Sequence, residues 1–473
     1  MAVWSRRLRA QPCFPTRTCS VPTWACESRG EGSTSMKVAC RVGAGAGFAG
    51  DRIDPAVRLA GSGEVDSIAL ECLAERTLLP ALKARAQDAS TGYDPRLRRR
   101  LRPLLPVART HGVRVISNLG QANLRAAAQA IAELAAELGL TGVRVAAVVG
   151  DDVMALCDRI RWTRTPTAGR LLGAHAYLGS DAIAQALAQG ADVVVTGRVA
   201  DSALFAAPAR PSLQSGQQAL AGALTVGHLL ECSGQLTGGN YEPVGGQMLP
   251  ASGYADLGFP WAEVYEDGTA EIRLPPGAPG VLDPQTCTLQ LLYEVHDPTR
   301  YATPDLVLDF SNVGFEVTGC GRVRVSGAVS RGRPPDLKVA GFLELPGWIA
   351  DCEIGFAGTG ALDRARRAAE VLRLRLADWR DEDVAIDIVG IDSILRAASL
   401  MVAAPPPEVR VHVSARCGDL EAAQTVEDEV YALTLSGPAG GCSVRSERRA
   451  RIEVLDGYID HEQVQPSLVW SQS

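Results

Sequence analysis

Several residue types are scarce in this chain, and each scarcity excludes something. Lysine occurs only at Lys37, Lys83 and Lys338 among 47 basic residues, against 54 acidic ones, for a net charge of −7. No basic tract for nucleic acid is left by that balance. No apolar run approaches the ~18 residues that a membrane helix requires. The twelve cysteines stand singly, without Cys-x-x-Cys pairs. That pattern fits reduced thiols in a cytoplasm rather than a disulfide frame or a zinc module. A Walker loop and a Gly-x-Ser-x-Gly elbow are likewise missing.

What is present is length and punctuation. At 473 residues the chain exceeds one ordinary core. Residues 1–35 carry Arg6, Arg7, Arg9 and Arg17 and no acid before Glu27. They read as a leader or as translation upstream of the real start at Met36, and stand outside the fold. Five Val/Ile-rich runs then alternate with helical stretches: 37–42, 66–71, 113–117, 143–149 and 192–196. Such alternation implies βαβ units, right-handed crossovers and an open, doubly wound, mostly parallel sheet over 36–284. Residues 215–280 read as a helix followed by irregular Gly/Pro-rich chain. From 285 to 473 the alternation suggests a smaller α+β domain with a mostly antiparallel sheet.

In open α/β sheets ligands bind beyond the C-terminal strand ends. The polar residues there are the candidates: Glu71, Glu75, Asp151, Asp152 and Asp201 as acids or bases, and Arg52, Arg76, Asn118, Asn123 and Arg198 as ligand-holding groups. Gathered carboxylates raise one another's pKa and enable proton transfer. Gly45-x-Gly47-x-x-Gly50 follows the first strand, and Glu71 ends the next, which is the spacing of a dinucleotide fingerprint. Asp51 opposes that reading, because a carboxylate would meet the pyrophosphate. Thr237 and Gly238 are included as substrate-binding loop residues. Asp151-Asp152 with Glu71 or Asp201 could hold a hard cation, but adjacent acids at a helix start are more simply caps. No metal is assigned and no cofactor is specified. His228 and Glu231 lie three apart on one helix, a spacing for a proton relay or for a plain helix pair. The basic run from Arg96 to Arg102 reads as a solvated face.

The longer motifs resemble those of the acyclic terpene utilisation family of the AtuA type. They are Gly43–Ala56, Glu71–Thr77, Gly92-Tyr93-Asp94-Pro95, Val149–Val153, Ala176-Tyr177-Leu178-Gly179, Thr196–Asp201 and Gln290–Glu294 with His296-Asp297-Pro298. The resemblance implies bacterial breakdown of citronellol- and geraniol-type compounds through coenzyme A thioesters. It leaves the chemistry open, with a lyase, hydratase or hydrolase acting on acyl-CoA in view. The alternatives are a non-catalytic assembly subunit and a nucleotide-dependent oxidoreductase. A small-molecule partner, a homo-oligomer and a cytoplasmic location are expected, with neither nucleic acid nor membrane. The chain departs from the family pattern at 118–124, at His175 in place of Asn, and in the loop 274–280, which lacks an expected Lys. It also ends without the small ferredoxin-like C-terminal domain of many relatives.

Overall fold

A computed structural model describes residues 36–165, 168–243, 247–395 and 406–473. The expected leader, 1–35, lies outside the described residues. Residues Met1–Lys37 and Val38–Ser473 group as separate units, and the second carries the elements below. Its first half runs β1 (Val38–Ala46), α1 (Asp54–Ala60), β2 (Ser67–Leu70), α2 (Glu75–Gln87), α3 (Leu97–His111), β3 (Arg114–Ser117), α4 (Leu124–Glu137), β4 (Arg144–Val149), β5 (Arg161–Trp162), β6 (Arg170–Ala176), α5 (Asp181–Ala188), β7 (Val193–Thr196), α6 (Asp201–Ala206) and α7 (Gln217–Leu230). The second half runs α8 (Ala251–Ala255), β8 (Trp261–Tyr265), β9 (Ala270–Arg273), α9 (Pro284–Leu292), β10 (Tyr301–Ala302), β11 (Val307–Asp309), β12 (Gly314–Gly319), β13 (Arg322–Ser326), β14 (Val329–Ser330), β15 (Asp336–Ala357), α10 (Ala361–Arg375), β16 (Val384–Val389), β17 (Glu408–Cys417), α11 (Leu420–Ser436), β18 (Cys442–Asp460) and β19 (Ser467–Gln472).

The five expected runs lie side by side in parallel, in the order β1-β2-β3-β7-β4. Their apolar continuity has a direct cause, since successive side chains serve two different cores. Val145 and Ala147 pack with α1, α3 and α4, whereas Ala146 and Val148 pack with α5, α6 and α7. The sheet as a whole is mixed, which corrects the mostly parallel expectation. Antiparallel strands extend it on both sides, giving β12-β13-β9-β8-β1-β2-β3-β7-β4-β19. β8 and β9 fall inside the stretch read as irregular.

The two halves of the sequence are interleaved. β12, β13 and β19, all beyond residue 284, complete the first sheet, while β5 and β6 join a second sheet with β15–β18. The sheets therefore do not divide at the expected 284/285 boundary. β15 breaks register between Glu344 and Trp348, where Gly347 takes φ +95°. Its second half, α10, β16, β17, α11 and β18 trace a βαββαβ path with strand order β16-β17-β15-β18. α10 covers this lobe because Ala361, Leu362, Ala365, Ala368, Ala369 and Leu372 form one buried stripe. Among the described residues no helix is long and apolar enough to cross a membrane.

Candidate functional site

The glycine loop closes on its own chain. A Cβ on Gly45 would lie 2.6 Å from Ile68, and one on Gly47 would lie 2.6 Å from the Cys232 backbone. Gly50 packs against the Phe48 ring. The Gly47 amide donates to Asp51 Oδ2 at 2.9 Å, and the Arg52 amide to Asp51 Oδ1 at 2.8 Å. A carboxylate from the chain thus takes the place that a phosphate would hold in a dinucleotide loop. Arg52 itself donates to the carbonyls of Tyr254 and Ala255 at the surface. The helix begins at Asp54 with Ile53 in the cap position, one residue before a start that takes Asp54 as the cap and Pro55 as the first helical residue.

The tips of β2, β3, β4 and β7 are joined through buried polar contacts. Asn118 Oδ1 accepts from the Cys72 amide at 2.6 Å, and its Nδ2 donates to Glu71 Oε1 at 3.0 Å. Asp151 Oδ2 accepts from the Arg198 amide at 2.8 Å and lies 3.1 Å from His175 Nδ1. A Cβ on Gly197 would come within 2.3 Å of that same oxygen, so only glycine fits there. The buried Arg198 guanidinium donates to the Leu73 carbonyl, to Glu75 Oε1 at 2.8 Å and to the Tyr177 hydroxyl at 2.7 Å. Tyr177 in turn donates to Glu75, and Arg198 lies 4.3 Å above its ring. A buried guanidinium demands such pairing. Burial opposes charge on Glu75, but Arg198 and the Tyr177 hydrogen bond outweigh it and hold the carboxyl at about 2.

Other predicted residues stand apart from this cluster. Asp152 turns outward, pairs with Arg85 at 3.4 Å and caps the Met154 amide. Among the described residues no three His, Cys, Asp or Glu side chains have a metal-holding arrangement. Asn123 caps α4 and ties down the carbonyls of Ala89 and Thr91. Thr237 donates to the carbonyls of Gly258 and Gly234, and Gly238 follows at φ +101°. Arg76 is exposed on the first turn of α2. The arginine run of α3 is not uniformly solvated: Arg100 is buried and donates to the Ala49 carbonyl at 2.6 Å.

Asp201 behaves differently from its neighbours. The residue is partly exposed, yet its Oδ1 is shut from solvent and has no hydrogen-bond partner. Burial, with Glu71, Glu231 and Glu75 nearby, pushes its carboxyl well above the usual range despite Arg198. Glu71 is raised mainly by burial. Glu231 was not among the predicted site residues; its Oε2 is also buried and unpartnered, while Oε1 meets His228 Nδ1 at 2.8 Å. Burial opposes charge on His228, but Glu231 and the Leu291 carbonyl raise its pKa. Asp201 and Tyr177 line a cleft of about 990 Å³, walled by Tyr301, Arg300, Arg333 and Lys338. Lys338 pairs with Asp456 and Arg333 with His461, whereas the Arg300 guanidinium has no partner among the described residues.

Tyr177, Glu231 and Tyr301 were missing from the predicted set. The signals that could have found them were the His228/Glu231 spacing and the polar motif 176–179, which follows a strand the sequence reading did not draw.

Comparison with known families decides membership. The model for "Acyclic terpene utilisation family protein AtuA" matches residues 40–470. The chain belongs to the acyclic terpene utilisation family. No curated protein and no solved structure matches it. The family match spans all three sheets of the described residues, so the Asp201 cleft and the glycine loop both lie within the AtuA region.

Proposed function

We propose that this AtuA-family protein is an enzyme of terpenoid or branched-chain catabolism that moves a proton on an acyl-CoA or the corresponding acid. The carrying observation is Asp201, which lines a large cleft and has a carboxyl with a raised pKa and one buried, unpartnered oxygen. A carboxyl with a raised pKa can act as general acid, and its conjugate base can take the proton back. Tyr177, gripped by Arg198 and Glu75, presents a second polar group on the same floor. The cations at the rim suit an anionic group such as the phosphates of a thioester carrier. Glu71 and Glu75 act here by setting the charge around Asp201 and Arg198, and Asp151 by holding the 197–198 turn.

The test is turnover by the full chain across a panel of branched acyl-CoAs and acids, followed by mass spectrometry. Asp201→Asn, with its fold intact, is expected to lose on the order of 100-fold or more in kcat/KM. Activity equal to wild type in that variant, or no turnover of any panel member, refutes the reading. A second reading, a non-catalytic assembly subunit, draws support from how many strand-tip groups are spent on internal bonds. Under that reading the panel gives binding without product. The nucleotide-dependent alternative is set aside because Asp51 fills the glycine loop.

A further inference from the structure

A second cleft, of about 710 Å³, opens between α2 and the turn that leads into α3. The loops after β1 and β3 reach it through Ala49 and Gln121, and the first turn of α2 supplies Arg76. Its volume is that of a small-molecule site. On α2 the lining is apolar at Pro80, Ala81 and Ala84 and polar at Thr77 and Gln87, and Tyr93 also lines the cleft, with Asp88 and Asp94 as its acids.

The walls are fixed before any ligand arrives. Gly92 takes φ +97°, and a Cβ there would lie 2.6 Å from Arg85 Cβ, so the turn is pressed onto the far end of α2. Gln121 takes φ +46°, a costly backbone for a non-glycine residue, and donates to Asp94 Oδ2 at 3.2 Å. Asp94 also accepts from the Arg96 amide at 2.7 Å. These bonds hold the 92–96 turn against the loop after β3.

The charges lining the cleft are unequal. Arg96 donates to the Ala49 carbonyl, and Arg98 pairs with Glu137. Arg76, by contrast, makes no hydrogen bond or ion pair among the described residues. An apolar trough with one free guanidinium at its edge is complementary to a molecule with a hydrocarbon body and one anionic end.

We propose that this cleft is a binding site for a small amphipathic acid, its hydrocarbon against Pro80, Ala84 and Tyr93 and its carboxylate on Arg76. The assignment is independent of the reaction run at Asp201.

The test titrates the full chain with 11-(dansylamino)undecanoic acid, a fluorescent fatty acid, and displaces it with decanoate or decanol. Decanoate is expected to compete about tenfold better than decanol, and Arg76→Gln to erase that preference. Ala84→Trp, which fills the trough, is expected to weaken both by at least about tenfold. A diazirine analogue of decanoate is expected to label peptides from residues 76–98. Labelling confined to 177–201 or 297–307 overturns the proposal, as does displacement unaffected by Arg76→Gln and Ala84→Trp. Failure of the probe to bind below about 1 mM overturns it too. Each readout is binding, not turnover, so its failure is separable from that of the enzyme reading.

Discussion

Replacing Asp201 with Asn should stabilise the protein, and do so more as pH rises. The carboxyl is raised in the folded state by burial and by Glu71, Glu231 and Glu75. In the unfolded chain it ionises near about 3.9. Such a group penalises folding from that pH upward, until the medium passes its folded value. Over that window the penalty grows by up to about 1.4 kcal/mol per pH unit. Between pH 5 and pH 7 the accumulated difference is therefore up to about 2.7 kcal/mol. The opposing terms are the Arg198 charge and the start of α6, where a negative charge gains only about 0.3–1 kcal/mol, and burial with carboxylate repulsion outweighs them. Asn is nearly isosteric and never ionises. The assay is urea unfolding of wild type and Asp201→Asn at pH 5, 6, 7 and 8, with each curve's own slope converting midpoints to free energy. The gap should widen with pH in favour of the variant. Parallel profiles, or a variant that loses ground as pH rises, would refute the claim that the surroundings raise this carboxyl's pKa.

Glu75 works in the opposite sense. Its folded value near 2 is below the unfolded one, so its stabilisation is present above about pH 4.5 and fades as pH falls toward 2. Glu75→Gln should cost about 1–3 kcal/mol at pH 7, less than a fully buried pair because the Glu75 side chain is 38% exposed. That cost should shrink at pH 3.5; an equal cost at both pH values argues against an ionised partner for Arg198. Gly197→Ala puts a methyl 2.3 Å from Asp151 Oδ2, and a loss of roughly 3 kcal/mol or failure to accumulate in soluble form is expected. A variant melting within about 1 °C of wild type would mean that the 197–198 turn is not pinned as described.

The parallel centre was legible because its cause is local. A strand buried on both faces needs an unbroken apolar run, and five such runs are visible in order. Of the antiparallel extensions, β12 and β13 were read as strands but assigned to a second domain, and β8, β9 and β19 were not read, for varied reasons. β8 and β9 are joined by Glu266-Asp267-Gly268-Thr269, with Gly268 at φ +86°, and Asp-Gly between alternating runs is a hairpin signal that could have been used. Aromatic and Gly/Pro neighbours masked it. β19 carries no such mark: Ser467–Gln472 pairs with β4 some 320 residues earlier in the chain, and long-range pairing leaves little local trace. β15 appeared as one short run because Pro346-Gly347 interrupts its 22 residues.

The gathering of polar strand ends was legible in the sequence, but not which groups they pair with. Placing charged residues at the ends of parallel strands brings them within reach of one another, and a low-dielectric interior then forces them to pair. Arg198 is satisfied by Leu73, Glu75 and Tyr177, Asn118 by Glu71 and Cys72, and Asp151 by the Arg198 amide and His175. Residue type alone cannot tell a carboxylate that finishes a hydrogen-bond network from one left over, because that depends on which partners arrive from elsewhere in the chain. Glu231 and Tyr177 arrive from elements distant in sequence from Asp201, and they alter its surroundings in ways no spacing rule records. Asp201, like Glu231 at its Oε2, is a carboxyl for which donors run out, and burial without a donor disfavours the charged form of Asp201 and raises its pKa.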